Sequence, residues 1–168
     1  DNPITKDKAG TLLDGAVFEI YNDKLEVVDT ITTEKGMATS KALPLGTYAI
    51  KEVSAPEYYL LNDKVFYAQL KVADDLVRFE VLNNSMIPDV SIEKHGNKEV
   101  LAGDSMTYEF SNIRNVSNCA LDEFYWHDAL PKEVRVDRIV TGTWSERLSY
   151  SVSYCTNLDD DYTVLEEN

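Results

Sequence analysis

The stretch Thr47-Tyr48-Ala49-Ile50-Lys51-Glu52-Val53 decides how the chain is read. Its residues alternate with period two, so Tyr48, Ile50 and Glu52 share one face of an extended segment and Ala49, Lys51 and Val53 share the other. The first face is the more apolar and is expected to point into a core. It carries a carboxyl group in line with a tyrosine and an isoleucine, an unusual position for an acid.

The same alternation recurs in both directions along the chain, and each run ends in a turn signal, as in an all-β sandwich. Before residue 88, strands are expected near Pro3–Lys8, Ala16–Tyr21, Glu26–Thr32, Met37–Lys41, Thr47–Val53, Lys64–Val72 and Val77–Asn83. Gly10, Asn22-Asp23, Lys35-Gly36, Pro44-Leu45-Gly46 and Asp74-Asp75 separate them. Helical periodicity is missing throughout. Met86-Ile87-Pro88-Asp89 breaks the pattern, which places a domain boundary there. A second set follows near Val90–Lys94, Met106–Ile113, Leu121–Asp128, Val134–Thr141 and Leu148–Thr156.

The expectation is therefore an all-β chain of two tandem Ig-like β-sandwich domains over residues 1–88 and 89–168. The second has few strands for a closed sandwich and is expected to be incomplete at its C-terminus. The chain starts within the strand-like run Ile4-Thr5-Lys6 and ends at Glu167-Asn168, which reads as a segment of a longer protein.

Composition supports a β core and removes several functions. Of 168 residues 43% are hydrophobic, with ten Tyr and five Phe, enough to fill a core of β type. The formal charge of −14 divides into 9 basic and 14 acidic residues before position 89, and 7 basic and 16 acidic after it. Neither half is basic, and no Lys/Arg run is interleaved with aromatics, so a nucleic-acid partner is not expected. No apolar run is long enough to span a bilayer, so no membrane insertion by this segment is expected. Cys119 and Cys155 match no metal-ligand spacing, and His95 and His127 lie far from both in sequence; an inter-strand disulfide and two half-buried free thiols both remain open.

Several motifs in the first half stand in order: Leu13-Asp14-Gly15-Ala16-Val17-Phe18-Glu19-Ile20 after Gly10, then Thr32-Thr33-Glu34-Lys35-Gly36, Leu43-Pro44-Leu45-Gly46-Thr47-Tyr48 and Lys51-Glu52-Val53-Ser54-Ala55-Pro56. With these motifs residues 4–88 resemble the collagen-adhesin B-type (Cna-B, or SpaA-like) domain of Gram-positive surface proteins and pilins. One departure is visible. The family usually has Gly-Tyr after its Ala-Pro turn, where this chain has Glu57-Tyr58-Tyr59. Residues 89–168 are similar to a module found beside such domains in surface proteins of anaerobic bacteria. Its landmarks are the run from Asp122 to Pro131, Thr141-Gly142-Thr143-Trp144 and Tyr154-Cys155-Thr156-Asn157.

The resemblance implies an extracellular, cell-wall-anchored stalk or pilin-like module, with neighbouring domains of the same protein as partners. It also implies an internal isopeptide bond, which many members form between a Lys on the first strand and an Asn on the last, assisted by a Glu. Glu52 fits the acid. In Val77–Asn83, Phe79, Val81 and Asn83 share a face, which makes Asn83 the acceptor. Ile4, Lys6 and Lys8 share a face, so parity does not separate the two lysines; Lys6 is favoured because Lys8 already enters the turn at Gly10. Burial disfavours charge, so an uncharged amine and a protonated acid can coexist inside such a domain. In the second domain Lys94 aligns with Val90 and Ile92, and Asp128 with Phe124 and Trp126, which suits Lys94 as the amine and Asp128 as the acid of a second cross-link whose acceptor would lie beyond Asn168.

The remaining candidates read as structure. His127 alternates out of phase with Trp126 and is expected on the surface. Asp159-Asp160-Asp161 lacks the spacing of a calcium loop and reads as a solvated turn. Trp126 and Trp144 are the residues for a sugar-stacking platform, but Trp126 falls on the inferred core face and reads as packing. No cofactor, metal or turnover catalysis is expected. The alternative to a stalk is an adhesive module in which the second domain recognises host glycan or an extracellular protein.

Overall fold

The computed structural model describes residues 1–155 and 161–167, and the described residues contain eight β-strands and no helix. Strands β1 (Val17–Tyr21), β2 (Val27–Thr32), β3 (Gly46–Ser54) and β4 (Val65–Leu70) form one antiparallel sheet in the order β2-β1-β3-β4. β5 (Val90–Gly96) pairs with β6 (Tyr108–Asn115), and β7 (Ser151–Tyr154) pairs with β8 (Thr163–Glu167). The chain divides into two compact units, Asp1–Phe124 and Tyr125–Asn168.

Register fixes which side chains share the core face of the four-stranded sheet. Phe18 lies opposite Glu52 and Ile31, Ile20 opposite Ile50, Ile50 opposite Phe66, and Tyr48 opposite Ala68. Directly opposed residues in an antiparallel ladder point the same way, so these side chains form one continuous face. Of these Phe18, Ile20 and Tyr48 are buried, Ala16 and Tyr59 are buried beside the sheet, and Phe66 meets Phe79 with ring centroids 5.3 Å apart. On the outer face Glu19 opposes Lys51, a favourable cross-strand charge pairing.

Turn chemistry separates the strands as the sequence suggests. Asn22 Oδ1 accepts from the backbone N–H groups of Lys24 and Glu26, closing the β1–β2 connection. Gly36 has φ +70°, and a Cβ there would come within 2.5 Å of Leu12 Cβ and 2.9 Å of Leu12 Cα. That position combines a left-handed backbone with a close approach of another chain segment, so it needs glycine twice over. Tyr58 also lies in the left-handed region at φ +65°, within a turn closed by Tyr59 N–H to Pro56 O at 3.1 Å. The Glu57-Tyr58-Tyr59 departure noted in the sequence is thus a turn in which tyrosine holds a conformation that suits glycine.

Several expected strands are absent. Pro3–Lys8 is a turn instead, with Lys6 at φ +66° and its N–H bonded to Asn2 O at 3.0 Å. The reason is Asn2, only 2% exposed, whose side-chain oxygen accepts from the N–H groups of Ile4 and Thr5 and whose Nδ2 donates to Tyr58 O. An Asx turn of this kind offers the backbone an alternative to a ladder. Met37–Lys41 contributes a single bridge, Glu34 to Met37, and Val77–Asn83 runs without strand pairing, followed by one bridge from Tyr59 to Ser85. Leu121–Asp128 and Val134–Thr141 form no strand either, while β8 lies beyond the last of the expected strands. Alternation detects an extended, two-faced segment; only a partner edge turns it into a ladder.

Candidate functional site: a buried acid and amide at the core edge

β3 carries Glu52 into the core two residues beyond Ile50, and the register against β1 sets it across from Phe18. Its side chain is fully buried, at 0% exposure. The loop after β3 folds back over it, so that the N–H of Asn62 donates to Glu52 Oε2 at 2.5 Å. Asn83 reaches the same carboxyl from the far end of the domain. Its Nδ2 lies 2.9 Å from both Oε1 and Oε2 and 3.0 Å from Leu60 O. The two hydrogens of that amide are thereby divided between the carboxyl and a backbone carbonyl.

Backbone bonds hold the two segments in register around the pair. Leu60 N–H donates to Asn84 O at 2.7 Å, Met86 N–H to Tyr58 O at 3.0 Å, and Asn62 Nδ2 to Leu82 O at 2.9 Å. Among the described residues no buried side-chain polar atom lacks a partner. Burying a carboxyl without such partners would cost several kcal/mol, so the donors from Asn62 and Asn83 are what permit an acid at this depth. Chemically, the arrangement sets an acid against the nitrogen of a primary amide.

Both candidate lysines lie elsewhere. Lys6 is exposed and its Nζ donates to Pro3 O at 2.5 Å; Lys8 is exposed as well. The structure thus brings Glu52 and Asn83 together and leaves Lys6 on the N-terminal turn. The sequence offered a signal for that turn which parity reasoning passed over: Asn2 directly before Pro3, an Asx-turn residue at the start of the supposed strand. The turn is tied down further by Asp7, whose Oδ2 accepts from Thr5 Oγ1 at 2.6 Å and Tyr59 OH at 3.0 Å.

A domain with this sheet and these motifs has known counterparts. The family model of the SpaA prealbumin-like fold domain matches residues 3–85. This part of the chain belongs to the SpaA family. The SpaA-type domain is a structural unit of surface and pilin proteins rather than a known enzyme. Relatives include the trypsin-resistant surface T6 protein of Streptococcus pyogenes serotype M6, 40% identical over 57 residues, or 33% of this chain and 11% of that protein. The collagen adhesin of Staphylococcus aureus is 34% identical over 86 residues, 48% of this chain and 7% of that one. The matched region is thus a small part of either relative, and both are Gram-positive cell-surface proteins. The solved structure of the Bacillus anthracis TIE protein aligns with a TM-score of 0.44 and 21% identity, over 66% of this chain and 24% of that one. Among the described residues no helix is long and apolar enough to cross a membrane.

Outside the SpaA-type domain, Lys94 projects from β5 with its Nζ 4.2 Å from the centroid of Tyr108 and 5.6 Å from that of Phe110. This is a cation–π arrangement that fixes the ammonium over the β6 aromatics. Asp128 is exposed and lies in the unit that begins at Tyr125. On β5 the Glu93 carboxyl is held below its usual range, first by a hydrogen bond from the Asn112 side chain and then by His95. Cys119 and Cys155 are half-buried free thiols, and the Tyr162 hydroxyl is pushed up chiefly by its hydrogen bond with Cys155. His127 is exposed. Trp126, expected in a core, is 42% exposed, because residues 121–128 form no strand and alternation there creates no inner face. Asp159 and Asp160 lie outside the described residues, and among those described no cluster of His, Cys, Asp or Glu could hold a metal ion.

Proposed function

We propose that this chain is a stalk segment of a cell-wall-anchored adhesin or pilus-like surface protein, whose SpaA-type domain is stiffened by an isopeptide bond between Lys6 and Asn83. The observation that carries the reading is the fully buried Glu52 carboxyl with the Asn83 amide nitrogen 2.9 Å from each oxygen. An acid in that position can pass a proton to the amide nitrogen as it leaves.

In the proposed step the uncharged lysine amine attacks the Asn83 side-chain carbonyl carbon. The new C–N bond forms to Nζ, the bond to Nδ2 breaks, and Glu52 relays a proton from the amine to the departing nitrogen, which leaves as ammonia. Residues 3–8 must leave the Asn2 turn for Lys6 to take part, since its Nζ rests on Pro3 O in this conformation. Once formed, the bond ties the start of the domain to its end, so a pull on the termini would run through covalent structure. By analogy with a disulfide closing a loop of several dozen residues, it would contribute on the order of 4 kcal/mol.

Under this reading the domains are 1–88 and 89–168, and their partners are neighbouring domains of the same surface protein. The name of the collagen adhesin extends the reading to an extracellular-matrix protein as a further partner. Intact-mass spectrometry of the purified chain tests the cross-link. The expected mass is lighter than the sequence value by one ammonia, with full mass restored in Glu52→Ala and in Lys6→Ala but not in Lys8→Ala. A full-length mass in the unaltered chain refutes the bond.

A further inference from the structure

Residues 141–150 form a loop that neither the SpaA-type domain nor the cross-link chemistry uses. Trp144 donates its indole N–H to Thr141 O at 2.7 Å, and Tyr150 donates its hydroxyl to Thr141 Oγ1 at 3.0 Å. The two rings lie with centroids 5.2 Å apart and planes inclined at 33°. Between them the backbone turns through Ser145 to Leu148, whose N–H bonds Ser145 O at 2.9 Å. Beside this turn opens a concavity of about 560 Å³, lined by Trp144, Ser145, Glu146, Arg147, Leu148 and Ser149.

Each feature restricts what can bind there. Indole has one hydrogen-bond donor, and here it is spent inside the loop, so Trp144 offers a ligand its apolar ring. The bond to Thr141 also fixes the ring before any ligand arrives, which lowers the entropic cost of binding. The volume falls in the range of small-molecule sites, roughly 300–1,000 Å³. Yet the lining has two hydroxyls, a carboxyl and a guanidinium against one tryptophan and one leucine, which disfavours a purely apolar occupant. A ligand that suits both has C–H groups to lie on a ring and many hydroxyls for planar charged partners, and that is a saccharide. Charge narrows the class. Residues 125–168 have 4 basic and 9 acidic side chains, so an anionic sugar is repelled and a neutral one is not.

We propose that the 141–150 loop is a binding site for a neutral saccharide, with a hexose ring against Trp144 and its hydroxyls bonded by Glu146 and Arg147. This goes beyond the stalk reading and uses no step of the cross-link. The test is titration of the whole chain with lactose, N-acetyllactosamine and maltotriose, followed by tryptophan fluorescence and calorimetry, with sialyllactose as the anionic control. Saturable binding of at least one neutral sugar, tighter than sialyllactose, is expected. Trp126→Phe should keep it. Trp144→Ala should weaken it by about tenfold or more through loss of the ring face. Because Trp144→Ala can also loosen the loop, Glu146→Gln and Arg147→Ala provide a second reading. Both residues are exposed, and each substitution should weaken binding with the melting temperature unchanged. Absence of saturable binding to all three neutral sugars, retention of binding in Trp144→Ala, or a preference for sialyllactose overturns the proposal.

Discussion

Replacing Glu52 by glutamine keeps the volume of the side chain while changing its hydrogen-bonding inventory and removing its acid, which makes it the sharpest probe of the SpaA-type core. In the native arrangement Oε2 accepts from Asn62 N–H and Asn83 Nδ2, and Oε1 accepts from Asn83 Nδ2 again. Glutamine can place its oxygen at the Oε2 position and retain the first two contacts. Its NH₂ then occupies the Oε1 position, 2.9 Å from another NH₂ whose hydrogens are already committed to Leu60 O and the carboxyl. Two donors face each other at full burial. An unsatisfied buried donor costs about 1–3 kcal/mol, so about 2 kcal/mol is expected from the substitution itself. For a domain of this size each kcal/mol moves Tm by roughly 4–8 °C, which gives a fall of about 8–16 °C. If the wild-type domain also carries the cross-link, its loss adds on the order of 4 kcal/mol, and the fall reaches several tens of degrees. Far-UV circular dichroism melts of wild type and Glu52→Gln, each paired with an intact mass, separate the two contributions. A variant that melts with wild type would refute the reasoning, because it would mean that the donors around Glu52 do not require a second acceptor oxygen.

Two further outcomes follow from local geometry. Gly36→Ala puts a Cβ 2.5 Å from Leu12 Cβ at a left-handed backbone position, so a loss of at least about 1–2 kcal/mol is expected in chemical denaturation, and an unchanged midpoint would contradict the close approach. Glu93 has its carboxyl lowered in the folded state, so the stability it contributes is present above the ordinary carboxylate range and is lost as pH falls through the folded value. Asn112→Ala removes the largest cause of that shift, and an NMR titration of the Glu93 side chain should then move back toward the usual range; a titration identical to wild type would rule out the Asn112 bond as the cause.

Local sequence determined a good deal of this protein. The alternation in Thr47–Val53 set Glu52 on the same side as Tyr48 and Ile50, and the structure buries that side against Phe18 and Ile20. Turn residues at Asn22-Asp23 and Gly36 ended the strands where they stand, because left-handed backbone and side-chain-to-backbone bonds are local properties that a few residues decide. The motifs around Gly15-Ala16 and Leu43–Tyr48 carried the family. Tertiary structure decided what depends on a distant partner. Pro3–Lys8 has the alternation of a strand, but the buried Asn2 bonds Tyr58, 56 residues away, and folds the segment into a turn that leaves Lys6 in solvent. Val77–Asn83 is likewise two-faced, yet it finds no ladder, and its last residue is fixed by Glu52 and Leu60 instead. Period-two patterning reports which way a side chain would point if the segment were extended; whether a second edge comes alongside, and which amine meets which amide, is set by contacts the local pattern does not contain.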